Sequence, residues 1–225
     1  MSPRDPWIWV LAVGVALFVF ISRPLVDREL GTGARASVPS SASTSTAVLS
    51  LVDALGVEDD VAPAPYERAA FGQRWADVDR DGCDQRNDVL ARDLVDVVFR
   101  AGTQDCVVER GVLTDPYTGQ LVRFEKVEGG IDIDHVVPLA AAWRSGAWSW
   151  SEEQRTQFAN DLANLQATSS SINRSKGDQG VEEWLPPDPA YTCTYAARWV
   201  QIKTRWSLSV TTPEKSALEQ LLERC

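Results

Sequence analysis

The chain has 225 residues, 44% of them hydrophobic, nine tryptophans and a formal net charge of −10. That apolar content supports a packed core and excludes a disordered chain. The acidic balance excludes a broad basic surface for holding nucleic acid and leaves room only for a local cationic patch.

Residues 1–6 form a short polar flank, and residues 7–22 hold an apolar run that is unbroken from Trp7 to Ile21. A membrane span needs about 20 residues, so the run suits a short signal anchor or the core of a signal peptide. No small-x-small site follows Ile21 closely, and Ala34-Arg35-Ala36 lies well downstream. An uncleaved signal anchor is therefore the first expectation and a cleaved signal peptide the second. Both place the remainder outside the cytoplasm, anchored to the membrane or secreted.

Residues 23–65 are expected to be a flexible linker. Its Ser37–Thr46 stretch is small and polar without apolar periodicity, and 47–57 offers one short amphipathic helix. Asp59-Asp60, Pro63 and Pro65 then break the chain, so a single monomeric α+β domain is expected over 66–225. The four cysteines are Cys83, Cys106, Cys193 and Cys225, and none forms a Cys-x-x-Cys pair, which speaks against a structural zinc. An even count behind an export-type N-terminus favours two disulfides. Of three connectivities, Cys83–Cys106 and Cys193–Cys225 are preferred because each closes a local loop.

From Tyr66 the pattern turns helical. Asn87 or Asp88 is placed to cap a helix carrying Val89, Leu90, Leu94, Val97 and Val98, with a stop at Gly102. Ahead of it, Asp77-Val78-Asp79-Arg80-Asp81-Gly82, with Asp88 at the twelfth position, matches much of an EF-hand Ca²⁺ loop. Asp84 stands where that loop is normally apolar, and Asp88 is shorter than the usual bidentate Glu. A solvated turn tethered by a disulfide explains the same residues, so both readings stay open.

Cys106–Glu109 and Leu121–Val127 read as strands around an Asp115-Pro116-Tyr117-Thr118-Gly119 turn. Ile131-Asp132-Ile133-Asp134-His135-Val136-Val137 is a β-rich run ended by Pro138, which puts His135 at a strand's end. His135 is the only histidine. Leu139–Arg144 is expected to be helical, and Ser151-Glu152-Glu153-Gln154 is a capping box opening a helix through Phe158. Leu165–Thr168 is a short strand, and Ser169–Lys176 a short helix ended by Gly177. Two further helices are expected over Tyr195–Trp206 and after Thr212-Pro213.

The ordered set Asp134-His135, Asn164-Leu165 and Asn173-Arg174-Ser175-Lys176, on strand, strand and helix, resembles an HNH nuclease of the His-Me finger, or ββα-metal, fold. More narrowly, it resembles exported bacterial HNH endonucleases related to the C-terminal domain of GmrSD-type restriction enzymes. The narrow resemblance takes in Gly82–Leu90, Asp115–Gly119 and Trp184-Leu185-Pro186-Pro187. It implies a ββα-metal core elaborated by helices and a short sheet, carried behind an N-terminal hydrophobic helix. It further implies hydrolysis of phosphodiester bonds, in DNA before RNA, with one divalent cation, Mg²⁺ or another.

By resemblance Asp134 and Asn173 are metal ligands, His135 is the general base, and Asn164 braces the loop that carries it. The chemistry is coherent, since a neutral imidazole accepts a proton near pH 7 and a hard cation prefers oxygen ligands. Arg174 and Lys176 are candidate phosphate contacts, and Asp132, on the strand face shared with Asp134, is a candidate support for the ligands. Arg144, Arg155, Lys203 and Arg205 are weaker candidates for the nucleic-acid surface. Two rivals remain: a catalytically silent envelope module with an HNH-like scaffold and a Ca²⁺-stabilised loop, and an exported nuclease toxin with an immunity partner.

Overall fold

A computed structural model of the protein describes residues 41–59 and 64–225. The expected signal segment at 7–22, its flank and the rest of the expected linker lie outside the described residues. Within them the chain is mixed α and β. Its elements are α1 (Ser41–Ala54), α2 (Gln85–Asp93), β1 (Leu94–Phe99), β2 (Val108–Thr114), β3 (Leu121–Glu125) and β4 (Ile131–His135). They continue with α3 (Leu139–Arg144), α4 (Glu152–Ala159), β5 (Leu165–Ser169), α5 (Ser170–Lys176), α6 (Thr192–Arg205) and α7 (Thr212–Leu222). Single 3-10 turns occur at Arg68–Phe71, Ala147–Ser149 and Pro189–Tyr191.

The strands form two antiparallel sheets, β1-β2-β3 and β4-β5. In the second, Ile131 pairs with Ser169 and His135 with Leu165, so β4 and β5 are in register along their whole length. Alternation then decides what each face meets. Ile131 and Ile133 join Leu165 and Ala167 in an apolar cluster with Val89, Leu90, Leu113 and Phe124 from α2 and the three-stranded sheet. Asp132 and Asp134, offset by one residue, reach α5 instead.

A larger apolar cluster is built by α1, α3, α4, α6 and α7 around Phe71, Phe158, Tyr195 and Trp199. Inside it Lys203, 0% exposed, donates to Glu214, Ser145 and the Ser209 carbonyl, so the buried charge is paired and fully bonded. Lys203 is thus unavailable to a nucleic acid, contrary to expectation. Its long apolar stem and the neighbouring Trp199 face hide the ammonium that a sequence reading assigns to solvent.

Two expectations for residues 84–99 are corrected. The helix over Gln85 stops at Asp93, and Leu94–Phe99 is a strand pairing with β2. Val95, Val97 and Val98 are β-branched and stiff at χ1, so they favour the pleated strand once a partner is present. The N-cap is Asp84, whose carboxylate accepts from Asn87 N at 2.9 Å, in place of Asn87 or Asp88. The segment expected as linker with a helix over 47–57 forms α1 from Ser41, and Val48, Val52 and Leu55 are buried in the larger cluster. Their spacing of four and three residues makes one helical stripe, which is why this piece packs as part of the folded unit.

The cysteines pair as Cys83–Cys106 and Cys193–Cys225, the pairing preferred from the sequence. The first ties the loop before α2 to the approach to β2, and the second ties α6 to the end of α7. Among the described residues no helix is long and apolar enough to cross a membrane.

Candidate active site

The last residue of β4 is His135, and the strand's polar face brings three elements together around it. From α5, Asn173 Nδ2 donates to Asp132 Oδ2 at 3.1 Å, and Ser170 Oγ donates to Asp132 Oδ1 at 2.8 Å. One helical turn on, Lys176 Nζ donates to Asp134 Oδ1 at 3.0 Å and to the His135 carbonyl at 2.8 Å. The spacing of 173 and 176 puts both on one helix face, against alternate residues of β4.

Asp134 is 5% exposed, and Tyr117 donates its hydroxyl to Oδ2 at 2.7 Å. Burial pushes the Asp134 carboxyl up from its ordinary value, while Lys176 and Tyr117 pull it back down. Burial likewise pushes Lys176 down, against the pull of Asp134. The two form a buried ion pair, which compensates charges too costly to leave alone. Lys176 is 0% exposed and so, contrary to expectation, cannot meet a substrate phosphate. A seven-residue helix carries too little periodicity to say which of its cations turns inward. Arg174, on the same helix, is exposed.

His135 Nε2 lies 2.8 Å from the Ala159 carbonyl. A carbonyl only accepts, so Nε2 carries the proton and Nδ1 is the basic nitrogen of the neutral ring. Burial, together with Arg68, Lys176 and Arg74, lowers the imidazole pKa to about 4 against the raising effect of the Ala159 bond. The ring is therefore neutral at pH 7. Trp75 lies nearly parallel to it, with centroids 6.4 Å apart and planes 11° apart.

The loop after His135 is fixed by Asn164, which is 0% exposed. Its Oδ1 accepts from Val137 N at 2.8 Å, its Nδ2 donates to the Val137 carbonyl at 3.1 Å, and its own carbonyl accepts from Val136 N. One side chain thus extends the ladder past the end of β4. Asp115 performs a comparable task for Tyr117. Its carboxylate, 0% exposed, accepts from Tyr117 N, Thr168 Oγ1 and Ser169 N, which clamps the 115–119 turn to the end of β5.

Asp134, His135 and Asn173 line one cavity of about 210 Å³ with Tyr66, Arg68, Pro138 and Asp178. Two larger cavities, of about 350 and 330 Å³, share Arg92 and Arg198 and include neither His135 nor Asp134. Size therefore does not select the site, whereas the convergence of a neutral imidazole and hard oxygen donors does. Arg68 was missed from the sequence. It sits in the 3-10 turn Arg68–Phe71, with Nη1 buried and without a partner. That turn packs closely on α4, because a Cβ at Gly72, whose φ is +68°, would lie 2.2 Å from Thr156 Oγ1. No local motif marks Arg68, since it reaches the cavity only through packing. Tyr117 is marked in the sequence by its turn and by the resemblance over Asp115–Gly119, neither of which shows that it meets Asp134.

The remaining cationic candidates are engaged elsewhere. Arg155 donates to the Ala70 and Trp150 carbonyls, Arg144 pairs with Asp178, and Arg205 with Asp161. Asp77, Asp79, Asp81 and Asp88 form a separate acidic group that does not line the His135 cavity.

A mixed α and β, disulfide-tied fold brings an imidazole, a buried carboxylate and an asparagine around one cavity. Residues 84–221 match the GmrSD restriction endonuclease C-terminal domain, and the chain belongs to that family. It is also 38% identical over 198 residues, 87% of this chain and 93% of the relative, to an uncharacterized secreted protein of Arthroderma benhamiae. No solved structure matches. Family membership points to a nuclease-related function and a nucleic-acid substrate. Arg68 and Trp75 precede the matched residues.

Proposed function

We propose that the protein is an exported, metal-dependent HNH endonuclease that hydrolyses phosphodiester bonds of DNA, with RNA as the lesser substrate. In this reading β4, β5 and α5 are the ββα-metal core. The observation that carries it is the neutral His135 imidazole, its basic nitrogen fixed as Nδ1, in one cavity with Asp134 and Asn173.

The residues fit a hard cation. Asn173 spends its amide NH₂ on Asp132, which orients its carbonyl oxygen as a donor, and each Asp134 oxygen keeps a second lone pair beyond Lys176 and Tyr117. Held by Asp134 and Asn173, Mg²⁺ or another divalent cation would supply Lewis-acid neutralisation of the phosphate and of the leaving oxygen. His135 Nδ1 takes the proton of the attacking water as its oxygen adds to phosphorus and the P–O ester bond breaks. Such base catalysis contributes about 10²–10⁴-fold. Arg68, which lines the cavity, is the inner contact to a non-bridging phosphate oxygen, a pairing suited to its fork of donors. Arg174 is the outer phosphate contact. Asn164 holds the base-carrying loop, and Lys176, with Tyr117, holds the Asp134 carboxylate.

The test is a divalent-metal screen of the purified protein on plasmid DNA and on RNA. Cleavage that needs Mg²⁺, Mn²⁺ or a similar cation and is abolished by chelator is expected, with loss of cleavage in Asp134→Ala and Asn173→Ala together. Undiminished cleavage in that double variant would sink the metal assignment. No cleavage of either polymer with any cation would favour the catalytically silent module.

A further inference from the structure

The loop ahead of α2 carries a charge problem that the nuclease reading does not use. Asp77, Asp79 and Asp81 bring carboxylate oxygens within 4.8 Å of one another, and Asp81 and Asp88 do the same around the Cys83 sulfur. Cys83 is disulfide-bonded, so its sulfur marks the place and offers no thiolate. Among the described residues no lysine or arginine pairs with Asp77, Asp79, Asp81 or Asp88.

Acidic crowding alone does not make a site, but two buried oxygens here lack a donor. Gln85 is 1% exposed, and its amide reaches the cluster by donating Nε2 to Asp79 Oδ1 at 3.1 Å, yet its Oε1 accepts nothing. Asp88 Oδ2 is likewise buried and unpartnered. Buried polar atoms are nearly always bonded. An orphaned acceptor on the amide that reaches Asp79, and another on the carboxylate that lies beside Asp81, call for a positive partner.

The backbone supplies the rest. Gly82 stands sixth in the Asp77–Asp88 stretch with φ +97°, the left-handed turn that glycine takes without strain, and its N–H donates to Asp77 Oδ2 at 3.1 Å. Asp84, eighth and out of place as a ligand, has other work: it caps α2 through Asn87. Asp88 sits in the first turn of α2, so the stretch runs from loop into helix as a Ca²⁺ loop does.

We propose that Asp77, Asp79, Asp81, Gln85 and Asp88 form a Ca²⁺ site, built from hard oxygens and separate from the His135 cavity. The short Asp at the twelfth position donates one oxygen where Glu would donate two, which places the affinity in the weak, extracellular range of about 10⁻⁴–10⁻³ M. The loop also carries Trp75, two residues upstream of Asp77, so the ion would steady the segment that flanks the imidazole.

The experiment uses the full chain stripped with chelator, with calorimetric titration of CaCl₂ and thermal unfolding in chelator, in 10 mM CaCl₂ and in 10 mM MgCl₂. In Asn173→Ala, where the proposed nuclease site lacks a ligand, one Ca²⁺ per chain in that affinity range is expected, with a rise in Tm on the order of 5 °C that MgCl₂ does not reproduce. The rise should vanish in Asp79→Asn with Asp81→Asn and persist in Asn173→Ala, which lacks a proposed nuclease ligand. No Ca²⁺ binding by the wild-type chain up to 10 mM would overturn the proposal. So would an equal response to Mg²⁺ in Asn173→Ala, or a Ca²⁺ response lost in Asn173→Ala and kept in the loop variant.

Discussion

His135 is the only histidine, so its titration can be followed without assignment. In the metal-free protein NMR should show the imidazole titrating near the expected pKa of about 4, because burial and the cations Arg68, Lys176 and Arg74 all oppose its charging. The unfolded chain binds that proton nearer pH 6.5, so this group's contribution to stability is present above that pH and is lost as pH falls towards 4. Titration near 6.5 would contradict the burial of the ring. Lys176→Met should cost about 3–5 kcal/mol in urea unfolding, since it leaves the Asp134 carboxylate buried without its cation. At this scale the Asp-His dipeptide and the two asparagines were legible from residue type and order. The inward turn of Lys176, and the arrival of Arg68 and Tyr117 from distant segments, were not, because burial depends on packing that local spacing does not encode.

Elements place these groups, and their legibility followed period and punctuation. The alternating 131–135 run, the Ser151 capping box and the Gly177 stop all appear where the sequence puts them. The α2–β1 junction does not, because a valine-rich run suits a helix face or a strand equally until β2 pairs with it. The joint between β4 and its following loop depends on Asn164. Asn164→Ala would orphan the buried N–H and carbonyl of Val137, at roughly 1–3 kcal/mol each. Its denaturant midpoint should fall, and so should its turnover, because the base would lose its fixed position. An unchanged midpoint would show that the loop holds itself.

Across the whole molecule, the short amphipathic helix expected over 47–57 is present within α1, which starts earlier, at Ser41, and packs into the larger cluster. The apolar spacing made the helix legible but not the packing of its Val48, Val52 and Leu55 stripe into the folded unit, a burial worth about 1.5–3 kcal/mol per side chain before the entropy of ordering the helix is set against it. A chain beginning at residue 66 should therefore unfold at a lower temperature than one beginning at residue 41. Equal Tm values would mean that α1 is dispensable. The Cys193–Cys225 bond closes a 32-residue separation, and its reduction should cost about 3–4 kcal/mol in the loop-entropy account. Such bonds persist in oxidising surroundings, in keeping with a secreted relative and with our proposal of export.

We propose that His135 acts as the base of a metal-dependent phosphodiesterase. Its most direct test is single-turnover cleavage of plasmid DNA in saturating Mg²⁺ by the wild type and His135→Ala, with both proteins shown to be folded by circular dichroism. The variant's rate should be lower by about 10²–10⁴-fold and partly restored by added imidazole. Equal rates in the two proteins would contradict it.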